Sequence, residues 1–534
     1  MSRKRYAVIG AGPMGITAIK CLKEEGMIPV CFERTSCIGG LWRYHDDDID
    51  GLASVMKSTV INNSKEMGAF SDFPPKEEYP NYMHNRHVHD YITTYEKAFD
   101  VERHIQVNKE IIEVGKADDF EETGRLYVVA KDTKTGAESR EVFDGVLVCI
   151  GHHVFPNWPS FPGMEKFKGK ILHTHSLKRV DPFEDQVVVV VGVGNSGMDA
   201  SVEISSVAKQ VYLSTRKGTW VIPRVGPWGL PIDIQTQRRC LDILFRITPY
   251  NILCWFSELA VNQRFDHSLY NLKPKHRIWS QHPTLSDYLP IKLLSGAVVV
   301  RKNIKEFVEN GVIFDEEEKV TECDSVVFAT GYKIKFPFLD ESLTTVKNNE
   351  VHLYKYIFPP HLKHPALAIM GLIQAVGAGF PTFEAQARLA TLVMNGKVNL
   401  PSREEMEAEI RRKKEVNSKR YSHSQRHTIQ ADFIPYLDEL YSLVGAKPNL
   451  LKIFFTDPVL FRAIFFGPSL PYQYRLQGPH AWSGARHALL DWRKRVEKPL
   501  RNSHDAPANS IKVLKIFLSI FFIILIGYLM KLIM

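Results

Sequence analysis

Two glycine signatures, 182 residues apart, constrain this chain more than anything else in it. The first reads Gly10-Ala11-Gly12-Pro13-Met14-Gly15; it follows the apolar, β-branched run Arg5–Ile9 and leads into a helix-like stretch. The second reads Gly192-x-Gly194-Asn195-Ser196-Gly197, after the run QVVVVV at 186–191 and again ahead of a helical pattern. Such a signature carries meaning only between a buried strand and a helix N-terminus, and both copies stand there. Glycine supplies the tight turn, the close approach to a pyrophosphate and the packing of helix on strand. The free amides and the helix dipole then hold the phosphates. The repeat continues downstream: Asp144-x-Val146 leads to Gly151 and Asp324-x-Val326 leads to Gly331, 180 residues apart. The expected fold is α/β, with two nested Rossmann-like dinucleotide-binding domains.

The residues ending the second strand of each copy tell the two sites apart. In the first, IPVCFE closes on Glu33, 18 residues past Gly15. A carboxylate there accepts hydrogen bonds from a ribose 2′-hydroxyl and repels a 2′-phosphate, which suits the adenosine of FAD or NAD. In the second, QVYLSTRKG has no acid and offers Ser214, Thr215, Arg216 and Lys217. Hydroxyls with cations complement a 2′-phosphate, so this site is expected to take NADPH. FAD and NADPH in one chain imply hydride transfer to flavin.

The next question is where the flavin sends its electrons. The chain has seven cysteines, an odd number, and none forms a C-x-x-C pair. Cys31 and Cys37 flank Glu33, the wrong place for the redox pair of a disulfide reductase. No disulfide framework, zinc, iron–sulfur or haem partner is implied, and a reducing compartment is expected. His84, His87, His89 and the pair His152-His153 have metal-like spacing, but no Cys or paired carboxylate joins them, so no metal is expected. Molecular oxygen or a soluble acceptor remains. A net charge of +8 on 534 residues falls short of a nucleic-acid-binding balance and fits an anionic cofactor or an acidic membrane surface. The N-terminus enters a strand at once, without the apolar core of a signal peptide. At the other end, IFLSIFFIILIGYLM (516–530) runs fifteen residues without a charge, flanked by Lys512, Lys515 and Lys531. With the lysines snorkelling, 512–534 just covers a bilayer, so a membrane tail is expected. Residues 501–510 read as a flexible linker, and 401–420 as a charged helix with a solvated face.

Beyond these features, the sequence resembles the flavin-containing monooxygenases of animal microsomes, the dimethylaniline N-oxygenating type. The likeness runs nearly end to end. It rests on CFER (31–34), IGGLW (38–42), NNSKEM (62–67), FSDFP (70–74), the second glycine signature, KPKH (273–276), SQHPT (280–284), FATGY (328–332), GLIQ (371–374) and the apolar tail. The family fingerprint F-x-G-x-x-x-H, then three residues and an aromatic, is matched by Phe167, Gly169 and His173. Leu177 stands where the aromatic belongs.

The resemblance implies an FAD- and NADPH-dependent monooxygenase. Reduced flavin would add O₂ at C4a, and the hydroperoxide would oxygenate the nucleophilic nitrogen or sulfur of small lipophilic compounds. It implies a catalytic role for Asn62 beside the flavin C4a, with Ile61 and Asn63 flanking it, and cofactor contacts from Gly40, Leu41, Trp42 and Gln374. His173 receives no catalytic role. It also implies anchoring to the endoplasmic reticulum membrane with the catalytic part facing the cytosol. Baeyer–Villiger oxygenation of ketones remains open. So does NADPH oxidase activity releasing H₂O₂, to which Leu177 lends weight, and so does a redox sensor or scaffold. The expected partners are oxygen, a lipophilic amine, thioether or ketone, and a membrane, with no nucleic acid. The expected organisation is an FAD domain at 1–155 closed by 331–445, an NADPH domain at 156–330, a helical and linker region at 446–510, and a tail at 511–534.

Overall fold

A run such as VVVVV, apolar at every position, suits a parallel strand covered on both faces. The computed structural model, which describes residues 3–421 and 428–501, uses it that way. The chain opens with strand β1 (Arg5–Ile9), helix α1 (Pro13–Glu24), β2 (Ile28–Glu33), β3 (Ile105–Val107) and β4 (Gly145–Val148). A second unit follows, with β5 (Lys170–His173), β6 (Val187–Val191), α2 (Asn195–Ile204), β7 (Gln210–Ser214), β8 (Val298–Arg301) and β9 (Ser325–Phe328). Its five strands are all parallel, in the order β8-β7-β6-β9-β5. Strand β10 (Leu367–Ile369) then returns to pair with β4, giving the first sheet the order β10-β4-β1-β2-β3, also parallel. The first sheet thus takes its fifth strand from beyond the whole of the second, which is the expected nesting.

The duplication goes further than the glycine signatures. In each unit a three-stranded antiparallel meander precedes a sheet strand paired with the strand before the glycine loop, β4 in the first unit and β9 in the second. The first spans Lys109–Lys116, Leu126–Asp132 and Glu138–Phe143; the second spans Ile304–Val308, Gly311–Phe314 and Thr321–Glu322. The chain crosses between units twice, and the crossings pair as a short ribbon, Tyr332–Lys333 against Phe155–Pro156.

The second unit also carries, among its further helices, α3 (Arg239–Ile247) and α4 (Tyr250–Arg264). After β10 come α5 (Gly379–Met394), α6 (Arg403–Arg420), α7 (Leu450–Thr456), α8 (Pro458–Phe465) and α9 (Ala485–Glu497). Helix α5 is buried almost all round and lies against α1. The one acid buried in it, Glu384, accepts hydrogen bonds from the Ser71 N–H (2.6 Å) and hydroxyl (2.7 Å) and from Arg475 (2.7 Å). Helix α6 is the expected charged helix, capped by Ser402 and Glu405 and burying only Met406. The tail expected at 511–534 lies outside the described residues, as does all but Arg501 of the linker. Among the described residues no helix is long and apolar enough to cross a membrane.

Candidate active site

The first glycine loop shows why its residues cannot carry side chains. Gly10 turns the chain with a left-handed φ of 98°, and its N–H donates to Phe32 O at 2.8 Å. A Cβ on Gly15 would stand 1.8 Å from the Gly10 carbonyl oxygen, so α1 packs on the loop only as glycine. Gly12 caps α1 with no side chain, and Pro13 takes the first helical position, where its missing N–H costs nothing. The Gly40–Trp42 turn lies over this loop: Gly39 N–H donates to Ala11 O (3.0 Å), and a Cβ on Gly40 would be 3.0 Å from the Gly12 Cα. Trp42 meets Phe380 of α5 edge to face at 6.5 Å. Glu33 ends β2 buried, accepting from the Ala11 N–H and from the Thr35 N–H and hydroxyl, each at 2.8 Å. The closing segment arrives at the same place. Gly371 packs on Met14, and three residues on, Gln374 begins a short strand paired with Gln430–Asp432. Free amides, a helix N-terminus, backbone left bare by glycine and a carboxylate at the strand end fit an FAD pyrophosphate and ribose.

The second loop repeats the geometry. Gly192 has a φ of 115° and its N–H donates to Ser214 O; a Cβ on Gly197 would be 1.9 Å from Gly192 O. Gly194 caps α2, Asn195 accepts the Leu285 N–H through Oδ1 (2.9 Å), and Ser196 is exposed. The Thr284 hydroxyl donates to Val193 O (2.8 Å), which gives part of the SQHPT motif a local task. At the end of β7 the Ser214 hydroxyl is buried and spent on Lys302 O. Thr215 accepts the Gly218 N–H, and Arg216 and Lys217 are exposed. Those cations fit a 2′-phosphate. The fingerprint residues are structural in their contacts: Phe167 packs edge to face on Phe307, His173 takes the His175 N–H on Nδ1, and Leu177 is core.

Asn62 joins the two units. Ile61 is buried beside it, and its N–H donates to Met83 O. The Asn62 Oδ1 accepts from Nε (3.0 Å) and Nη2 (2.7 Å) of Arg224, a residue of the second unit. Arg224 is itself held near Asp199 of α2 (3.5 Å) and Asp287 (3.8 Å). Burial pushes the Asp199 carboxyl up, and the Arg224 guanidinium pulls it back. Two residues past Asn62, the Ser64 N–H donates to Asp233 (2.7 Å). Asn63 is half-buried, and neither asparagine hydrogen-bonds a glycine loop among the described residues. Arg224, Asp199 and Asp233 carry no motif, and sequence reasoning passed over them. The expected metal-like histidines serve locally. His84 caps a helix, His89 reaches Ile38 O, and among the described residues no cluster of three or more potential ligands could hold a metal ion.

Asp233 yields a pH prediction. Burial pushes its carboxyl from 3.8 up to about 6, against the Ser64 and Ile234 N–H groups. The folded state therefore holds this proton more tightly than the unfolded chain. That stability is fully present below pH 4 and lost as pH rises through about 6, in total about 3 kcal/mol. Relative to Asp233→Asn, which does not titrate, the wild type is expected to lose urea stability between about pH 4 and 7. A pH-independent difference would refute this.

Two cradles in one fold, one ending in a carboxylate and the other in cations, define a two-nucleotide oxidoreductase. Residues 3–533 match the family model for flavin-binding monooxygenase-like proteins. The chain is 48% identical over 533 residues to flavin-containing monooxygenase 5 of Mus musculus, covering 98% of this chain and 99% of that one. It is 43% identical over 500 residues to flavin-containing monooxygenase 2 of Homo sapiens, covering 93% of each. Among solved structures it is similar in fold to an S-allyl-L-cysteine S-oxygenase from Allium sativum, with TM-score 0.64 and 24% identity over 93% of this chain and 99% of that one. A cyclohexanone monooxygenase from Rhodococcus sp. Phi1 shares the fold at TM-score 0.59 and 14% identity, over 83% and 98%. The chain belongs to the flavin-binding monooxygenase-like family. It is an FAD-dependent, NADPH-using monooxygenase.

Proposed function

We propose that the enzyme oxygenates the nucleophilic nitrogen or sulfur of small lipophilic compounds. FAD lies in the first cradle, NADPH in the second, and the chemistry occurs where Asn62 and Arg224 meet. FAD supplies, when bound, hydride acceptance from NADPH and an electrophilic oxygen at its C4a position. The observation that carries this reading is the Asn62–Arg224 pair. With Oδ1 held by the guanidinium, the amide presents Nδ2 as an uncharged donor. Asn62 is half-buried, with the buried Ile61 beside it and the partly buried Asp199 and Asp287 around Arg224, so a donor there counts for more than it would in open solution. A relative 44% identical over 93% of this chain is named a dimethylaniline monooxygenase, N-oxide-forming, of Macaca mulatta, which supports nitrogen as acceptor. The test is to reduce the FAD-loaded protein with NADPH, admit oxygen, and offer a tertiary amine, a thioether and a ketone in turn. N-oxide or S-oxide formed in step with NADPH is expected. Ester from the ketone alone would move Baeyer–Villiger oxygenation to the front, and stoichiometric H₂O₂ with every substrate would move the oxidase reading there.

We place the FAD domain at 1–155 and 331–445, the NADPH domain at 156–330, the helical region at 446–510 and a membrane tail at 511–534. Apolar side chains exposed along two helix pairs support attachment to a membrane, for which the endoplasmic reticulum, cytosolic side, is our assignment. Ile243, Ile247, Trp255 and Phe256 project from α3 and α4, and Leu451, Phe455 and Val459 from α7 and α8. Arg238 ties the two pairs together through Phe466 O (3.0 Å), and α8 packs on α9, from which the chain runs on to the tail. In the full chain, replacing Phe455 and Trp255 by Glu is expected to lower partitioning onto vesicles measurably with the tail intact. Unchanged partitioning would leave the tail as sole anchor.

A further inference from the structure

The KPKH segment has no task so far in the site. It lies directly against the strand end that carries Thr215, Arg216 and Lys217. The Thr219 N–H donates to Leu272 O (2.8 Å) and the Trp220 indole N–H to His276 O (3.1 Å). A Cβ on Gly218, whose φ is 68°, would be 2.2 Å from Leu272 O, so the two stretches touch backbone to backbone. Burial lowers the His276 pKa and the Lys217 cation adds to it, which places Lys217 within electrostatic reach of the same segment.

The two segments together concentrate positive charge. Arg216, Lys217, Lys273 and Lys275 are all exposed. None of the four has a carboxylate within 4.0 Å among the described residues. Their neighbours do: Arg277 pairs with Glu258 at 2.8 Å, Arg301 with Glu317 at 3.5 Å, and Arg224 with Asp199 and Asp287. Four cations left unpaired beside each other repel, and a dianion relieves that repulsion. The place is the C-terminal end of the strand after the glycine helix, where a Rossmann fold receives the adenosine ribose.

We propose that Lys273 and Lys275 complete the adenosine 2′-phosphate site and set the preference for NADPH over NADH. This rests on NADPH occupying the second cradle. The test uses the FAD-loaded full chain and measures binding of 2′,5′-ADP and of 5′-ADP by calorimetry, so no turnover is needed. The double variant Lys273→Ala, Lys275→Ala is expected to bind 2′,5′-ADP about tenfold more weakly and 5′-ADP as before, as two partly solvated ion pairs predict. Reversal to Glu at both positions should weaken it further, and the gap should narrow in high salt. Lys134→Ala, an exposed cation on the first meander, should change neither. An unchanged 2′,5′-ADP affinity, or an equal loss for both ligands, would overturn the proposal. A wild type that binds both ligands alike would overturn the NADPH assignment beneath it.

Discussion

An Asn62→Ala enzyme is expected to accept hydride from NADPH at close to the parent rate and to release H₂O₂ in place of oxygenated product. Asn62 hydrogen-bonds neither glycine loop among the described residues, so nucleotide binding and flavin reduction should survive the change. What disappears is a neutral donor fixed at the junction of the units. Arg224 grips the carbonyl end of the amide at 2.7 and 3.0 Å, and Asp199 and Asp287 hold Arg224 in turn. A donor positioned in this way, in a half-buried place, is worth ~10²-fold in rate when deleted. The product-to-peroxide ratio should therefore fall by about that factor. Asn62→Asp is the sharper variant. The new carboxylate would pair with Arg224 and keep the geometry, but it cannot donate, and it adds negative charge where activated oxygen must be held. Both variants should uncouple. Full oxygenating activity in both would remove Asn62 from the chemistry, whatever happened to stability.

The parts of this protein legible in the sequence are those whose cause is local. Gly10 to Gly15 and Gly192 to Gly197 announce themselves because steric demand and residue type coincide within six positions. Glu33 is readable because a parallel strand places its last residue predictably, and Arg216 because it follows two residues after the end of β7. The nesting could be read because the matched offsets downstream of each signature repeat almost exactly. What escaped has its cause at a distance. Asn62 and Arg224 lie 162 residues apart and have no shared pattern. The meanders were hidden because strands such as Leu126–Asp132 (LYVVAKD) are apolar at consecutive positions although only Leu126, Val128 and Ala130 are buried, and because they pair with neighbours rather than with the sheet. Helices α3 and α4 were hidden for another reason: much of their apolar surface stays exposed, so their pattern does not mark a core. Leu177, a departure from the fingerprint when read as sequence, is an ordinary core residue when read as structure. Its core cluster includes Met198 and Ala200 of α2, so the leucine in place of an aromatic alters packing within the second unit, beneath its cradle.

Alanine at the last glycine of each signature should disable the two sites separately. Gly15→Ala is expected to yield protein that does not retain FAD, and Gly197→Ala protein that holds FAD but is not reduced by NADPH. The steric insult is nearly the same. Each added Cβ would stand 1.8 or 1.9 Å from a carbonyl oxygen of the loop, far inside contact distance, so the helix must move away from its strand. Overpacking of this kind costs about 1–3 kcal/mol and also shifts the amides that hold the phosphates. The consequences differ because the helices sit differently. Helix α1 buries ten of its twelve residues, packed against α5, so its displacement propagates into the largest core cluster. Helix α2 buries five of ten, and its displacement stays within the second unit. Gly15→Ala should therefore lower thermal stability more than Gly197→Ala does and lower flavin content as well, whereas Gly197→Ala should keep its flavin. In Gly197→Ala, dithionite should still bleach the flavin while NADPH fails to. That contrast separates a lost hydride donor from a damaged flavin. If Gly197→Ala lost FAD as well, or if Gly15→Ala kept its flavin and lost only the response to NADPH, the order of the two cradles would have to be reversed.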